Sequence, residues 1–154
     1  MARWLIQNHV QRWWGDPALN LVDFDEQPPR QHLIVLAGEE PIGYVRWQRL
    51  LGKELAAMGV PGLPDGCANI DLFIGEPEWL GRGAGPAALG LLLKLLQVDP
   101  AVPVAAVSTS VRNVRAIRAY EKAGFQRYCQ YDESESGLYW IMIARLTPTA
   151  PDTE

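Results

Sequence analysis

The sequence predicts a mixed α/β fold in which helices return over one sheet. Three observations carry this expectation. β-type runs alternate with two long helical segments, glycine or polar steps punctuate nearly every change, and the chain of 154 residues, 48% of them hydrophobic, suffices for one core but not for two ordinary domains.

Arg3 to Trp14 reads as a short helix that Gly15-Asp16-Pro17 stops, and Asn20 to Arg30 has little periodicity. His32 to Ala37 and Pro41 to Leu50 are β-type runs separated by Gly38-Glu39-Glu40, a hairpin spacing that sets Tyr44, Arg46 and Gln48 on one face. Leu51 to Gly66 is ambiguous, because KELAAMG fits one helical turn or two while PGLPDG is loop, and it is taken as a mobile connection. Ala68 to Gly75 alternates, with Asn69, Asp71 and Phe73 on one side and Ile70, Leu72 and Ile74 on the other.

Gly81-Arg82-Gly83-Ala84-Gly85-Pro86 then leads into an apolar helix reaching about Val98, with Pro86 in its first turn, where a missing N–H is no loss. Val102 to Val107 is a short apolar strand. Ser110 is expected to open a helix through Ala123 that Gly124 closes. Phe125 to Asp132 and Leu138 to Leu146 make a last pair of strands. Thr147 to Glu154 reads as a flexible tail, which leaves one domain over residues 1–146.

The formal charge is −4, and Arg and Lys are scattered rather than striped, which argues against a nucleic-acid partner. Cys67 and Cys129 stand far apart with no CxxC, so neither a metal site nor a disulfide framework is expected, and the reduced cytoplasm is the expected compartment. The apolar tract Ala87 to Leu96 contains Lys94 and is about half of what a bilayer requires. The opening MARWLIQNHV lacks the features of a secretory signal. No membrane association or export is expected.

Gly81, Gly83 and Gly85 lie between a strand and a helix, where bare backbone N–H groups and the helix dipole favour a phosphate. A tight turn that needs small residues for packing explains them equally well. The lysine and hydroxyl of a P-loop are missing, and so is a Rossmann start. Asn113, Ala116, Ile117 and Tyr120 share one helical face, with Arg112, Arg115, Arg118, Glu121 and Lys122 mainly on the others. Tyr120 is a core-edge aromatic on one reading and a proton donor on the other. Asp71, an acid in an apolar strand, must be solvated, hydrogen-bonded or paired, and a cationic amine would pair with it. Trp13 and Trp14 end a helix on the core or wall a pocket. His9 and His32 have no catalytic spacing, and no GxSxG elbow is present.

LGRGAG (Leu80 to Gly85) followed by NVRAIRAYEKAGF (Asn113 to Phe125) closely resembles the acetyl-coenzyme A site of the Gcn5-related N-acetyltransferases, and within them the aminoglycoside 6'-N-acetyltransferases. HVQRWWGD, PIGY, NID and Asp99-Pro100 extend the likeness from about Trp4 to Leu146. The resemblance implies a mostly antiparallel sheet with helices on both faces, acetyl-coenzyme A as donor, and a primary amine of a small cationic acceptor as substrate.

Residue by residue, it implies that Arg82, Gly83, Ala84 and Gly85 give backbone N–H groups to the pyrophosphate and that Asn113 binds the pantetheine arm. Tyr120 would protonate the departing thiolate. Asp71 to Phe73 would splay from Val104 to Val107 as a slot for the thioester, and the backbone near Phe73 would polarise the acetyl carbonyl. Asp71 would receive the amine, with Trp14, Ser108 and Glu135 also on the acceptor side.

Three departures stand out. Leu80 replaces the usual Arg or Gln, as it does in the aminoglycoside subfamily. Ser108 and Thr109 stand where that subfamily commonly has Asp and Pro, which removes one acidic contact. The sequence starts inside what would be the family's first helix, so the usual first strand is not in it; misannotation, truncation or complementation by a partner each explains this, and in the last case a second copy in a homodimer covers the open edge. The rival enzyme is a siderophore-type lysine or polyamine N-acyltransferase, whose pocket needs less negative charge than Glu54, Asp65, Asp71, Glu133 and Glu135 supply. A non-catalytic coenzyme-binding module would have no reason to keep Tyr120 together with Asp71.

Overall fold

Helices α1 (Ala2–Leu5) and α2 (Asn8–Trp14) stand where one helix over Arg3–Trp14 was expected. The break lies at Gln7, whose extended backbone (φ −67°, ψ 137°) precedes α2. In an unbroken helix Val10 would point about 140° away from Leu5, at roughly 100° per residue. Broken, the two helices bury Trp4, Leu5 and Val10 in one cluster. Gly15, at φ 80°, ends α2.

The computed structural model describes residues 2–20, 31–60, 62–133 and 137–146. Most of the stretch Asn20 to Arg30, the acidic candidate Glu135 and the tail Thr147 to Glu154 lie outside the described residues. Contacts divide the chain into two units, Met1–Trp47 with Asp71–Gly85, and Gln48–Ile70 with Pro86–Glu154.

Strands β1 (His32–Ala37), β2 (Glu40–Leu50), β3 (Cys67–Ile74), β4 (Val104–Ser110), β5 (Gln126–Asp132) and β6 (Leu138–Arg145) form a mixed, mostly antiparallel sheet in the order β1-β2-β3-β4-β6-β5. β1 and β2 make the expected hairpin, closed at Ala37↔Glu40. β3 and β4 are parallel over Ala68↔Ala105, Asn69↔Ala106 and Ile70↔Val107. The other recorded pairings are antiparallel. The ambiguous segment after β2 contains helix α3 (Gly52–Met58), whose Gly52 N–H donates to Asp65 Oδ1 at 3.2 Å.

Helix α4 (Ala84–Gln97) starts two residues ahead of Pro86 and buries Leu89, Leu92, Leu93 and Leu96. The next boundary corrects the sequence reading. β4 runs through Ser110, because Ser108, Thr109 and Ser110 stay in register with Ile141, Trp140 and Tyr139 of β6. Helix α5 (Val114–Lys122) is therefore capped by Asn113 rather than Ser110.

In the first unit the core is Trp4, Leu5, Val10, Tyr44 and Phe73, with Trp14 packed against it. In the second, Val60, Cys67, Val104, Ala106, Ile141 and Ile143 cluster with Leu55, Leu63, Cys129 and Tyr131. Both cysteines are free thiols. Burial pushes the Cys67 thiol up to about 11. No helix among the described residues is long and apolar enough to cross a membrane.

Two glycines should respond oppositely to alanine. A Cβ at Gly75 would collide with the Trp4 ring, whereas at Gly90, inside α4, it would meet nothing within 4 Å. Denaturant titration should show Gly75→Ala less stable by about 1–3 kcal/mol or more and Gly90→Ala more stable by up to about 1 kcal/mol.

Candidate active site

Strand alternation puts Asp71 and Phe73 on the same side of β3. Phe73 is buried among aromatic rings, with centroids 4.9 Å from Trp14, 5.6 Å from Tyr44 and 6.1 Å from Trp4. Gly43 makes room behind it, since a Cβ there would lie 2.6 Å from the Phe73 carbonyl oxygen. The glycine of PIGY is thus set by the close approach of two backbones.

Asp71 reaches toward solvent, and the structure already gives it a cation. Arg46 Nε donates to Asp71 Oδ2 at 3.0 Å, with side-chain exposures of 20% for Arg46 and 36% for Asp71. The same guanidinium lies 5.4 Å from the centre of the Trp14 ring. Of the three readings open to Asp71, pairing holds. The sequence reading had put Arg46 on one face with Tyr44 but gave it no role; opposite charges on neighbouring strands were the available signal.

The histidines are structural neighbours of this cluster. His9 Nε2 donates to the Ile74 carbonyl at 2.9 Å. His32 Nδ1 shares a hydrogen bond with the hydroxyl of the fully buried Tyr44.

The glycine turn precedes α4. Gly81 and Gly83 have φ of 74° and 80°, and a Cβ on either would meet nothing within 4 Å. Their glycine identity is required by backbone conformation, with open space above, so the packing explanation fails for these two. Gly85 is helical, and its Cβ would be 3.9 Å from Leu72 Cδ2. Arg82 is exposed, its guanidinium 5.4 Å from the Trp79 ring. A turn of this kind at the start of a 14-residue helix is the type of place where backbone N–H groups and the helix dipole favour a phosphate group.

In the second unit, Asn113 caps α5 by accepting the Ala116 N–H at 3.2 Å. Ile117 and Tyr120 are the buried residues of α5, and Arg112, Arg115, Arg118, Glu121 and Lys122 are exposed, as the helical face required. Tyr120 is 8% exposed, with its ring 6.0 Å from Phe125. Ser108 Oγ and the Tyr131 hydroxyl share a hydrogen bond of 2.6 Å. Tyr131 was not foreseen, because its strand follows β4 by a helix and enters the sheet beyond β6. The expected slot is corrected in register. Ala105 to Val107 stay paired with Ala68 to Ile70, and the pairing ends at Ile70↔Val107. No group of His, Cys, Asp and Glu that could hold a metal occurs among the described residues.

Comparison with known proteins gives a consistent set of matches. Residues 1–132 match the family described as the acetyltransferase (GNAT) domain. The chain is 34% identical over 143 residues to the aminoglycoside N(6')-acetyltransferase type 1 of Klebsiella pneumoniae, with 82% of this chain and 68% of the relative covered. AAC(6')-Ib, solved in complex with coenzyme A and kanamycin, is similar at a TM-score of 0.75 and 29% identity, covering 94% of this chain and 86% of that one. The same enzyme solved with acetyl-coenzyme A gives a TM-score of 0.76 at 28% identity, covering 94% and 85%.

The Asn113 cap can be tested apart from any ligand. Asn113→Ala should lower unfolding stability by about 1 kcal/mol, and Asn113→Asp should recover most of it, since a carboxylate caps equally well. Thermal or denaturant unfolding of the three proteins checks this.

Proposed function

We propose that this chain, which belongs to the GNAT acetyltransferase family, transfers the acetyl group of acetyl-coenzyme A to a primary amine of an aminoglycoside, the 6'-amino group. The observation that carries the reading is the open turn with two positive-φ glycines at the start of α4. It has the form of a phosphate cradle, and packing does not account for it. The capped α5 with buried Tyr120 supports it, as do relatives named for aminoglycoside acetylation and similar structures solved with acetyl-coenzyme A or kanamycin.

Acetyl-coenzyme A supplies the acetyl group as a thioester. In this reading Arg82 to Gly85 direct backbone N–H groups to the pyrophosphate, and Asn113 contacts the pantetheine arm. Backbone near Phe73 stabilises the charge that grows on the acetyl oxygen. Tyr120 gives its phenolic proton to the departing sulfur and regains one from solvent, while the proton shed by the amine nitrogen passes to water or to Asp71. Trp14, Asp71 and Ser108 face the acceptor. Direct attack by the amine is favoured over an acyl-enzyme because Cys67 is fully buried, with its thiol pushed up to about 11, and burial raises the Cys129 thiol as well. The two free thiols support a reducing compartment such as the cytoplasm. The edge position of β1, with Leu33, Ile34 and Leu36 exposed, supports a homodimer.

One observation favours a siderophore-type lysine or polyamine N-acyltransferase as the second reading. Asp71 is paired with Arg46, which lowers the negative charge it offers to a polycation.

Release of coenzyme A thiol over a panel of kanamycin, polyamines, hydroxylysine-type amines and peptides separates the readings. Turnover with kanamycin, with the acetyl group located on the 6'-nitrogen, is the expected result. Turnover restricted to lysine-type amines or polyamines would transfer the reading to the second class. Tyr120→Phe should lower kcat by about 10²-fold and leave the acetyl-coenzyme A dissociation constant within about twofold, because only the phenolic proton is lost. Unchanged kcat would reduce Tyr120 to packing.

A further inference from the structure

We infer that Arg46 is an acceptor-specificity residue, a built-in cation that holds the Asp71 carboxylate and selects against acceptors with an additional ammonium group beside the reacting amine. This rests on the proposed function in one respect, that Asp71 faces the acceptor.

Arg46 is fixed from two sides, by its 3.0 Å bond to Asp71 Oδ2 and by its place 5.4 Å from the Trp14 ring centre. It is only 20% exposed, and Tyr44, two residues earlier on β2, is fully buried, so the backbone beneath it is anchored in the core. A guanidinium cannot shed its charge near neutral pH. An ammonium group arriving at Asp71 therefore meets a carboxylate already engaged, and has a fixed positive charge beside it. A neutral hydroxyl at that place carries no charge for the guanidinium to repel. The residue thus sets the charge pattern of the amine rather than taking part in bond making.

Kanamycin A and kanamycin B form a matched pair of probes, since they carry a hydroxyl and an ammonium, respectively, at one position of the ring that bears the 6'-amine. Calorimetric dissociation constants would be measured in the presence of coenzyme A for the wild-type chain, Arg46→Gln and Arg46→Lys. Wild type should bind kanamycin B no more than about twofold tighter than kanamycin A despite the extra charge. Arg46→Gln should tighten kanamycin B about tenfold and kanamycin A about threefold, and the gain should shrink in high salt. Arg46→Lys, which keeps the charge, should retain the wild-type ratio.

A ratio of the two constants that is unchanged in Arg46→Gln, or an equal weakening of both, would reduce Arg46 to a support for Asp71 and overturn the inference. If Arg46→Gln does not fold, wild type alone decides, because a tenfold preference for kanamycin B overturns it. Binding of neither compound by any of the proteins overturns it too. Thiol release across the amine panel judges acetyl transfer separately, so a protein that binds with the expected ratio yet acetylates no aminoglycoside would sink the proposed function and leave Arg46 as assigned.

Discussion

The contact between the Trp4 indole and the bare backbone of Gly75 is the constraint on which the first unit depends. The ring occupies the space that any side chain at position 75 would need. Its Nε1 donates to Glu76 at 2.9 Å, and it stands edge-on to Phe73 at an interplanar angle of 82°. With Trp4 held this way, the chain must break after Leu5 for Val10 to face the same cluster. The break in turn brings Trp14, at the end of α2, against Phe73 and within 6.5 Å of Tyr44. The aromatic wall beside Asp71 is thus a consequence of packing several residues away from it.

What the sequence made legible was local. Strand alternation placed Asp71 and Phe73 on one side of β3, and the 3.6-residue period placed Ile117 and Tyr120 inward on α5. Other features depend on partners distant in the chain. Ser110 looks like a helix cap by residue type, but its backbone is held by the β6 ladder opposite Tyr139, and Asn113 inherits the role. Ser108 could be compared with an expected aspartate, yet its partner Tyr131 arrives 23 residues later. The Gln7 break follows from the side on which Val10 is needed, which no propensity in MARWLIQNHV announces.

Glycine identity carried two meanings that composition alone could not separate. Gly43 and Gly75 are required because another group occupies the place of a Cβ: the Phe73 carbonyl oxygen in one case, the Trp4 ring in the other. Gly81 and Gly83 have open space and are required by positive φ. The first kind brings strands and helices close enough to build a core. The second turns the backbone where a side chain would strain it. At Gly81 and Gly83 it is the positive φ of the turn, not a close neighbour, that calls for glycine.

The Arg46–Asp71 pair is more informative for recognition than for stability. With exposures of 20% and 36%, water screens both partners, and a pair of this kind contributes roughly 0–1 kcal/mol to folding. A buried pair would resist any ligand, because separating its charges would strand them in a poor dielectric. A partly exposed pair can be rearranged at small cost, yet its positive partner stays tethered beside the carboxylate. At contact range Asp71 therefore presents a carboxylate with a guanidinium beside it. For an amine brought to Asp71, donors and acceptors at short range would distinguish one charge pattern from another. Such an arrangement favours selection by local charge pattern over selection by net charge.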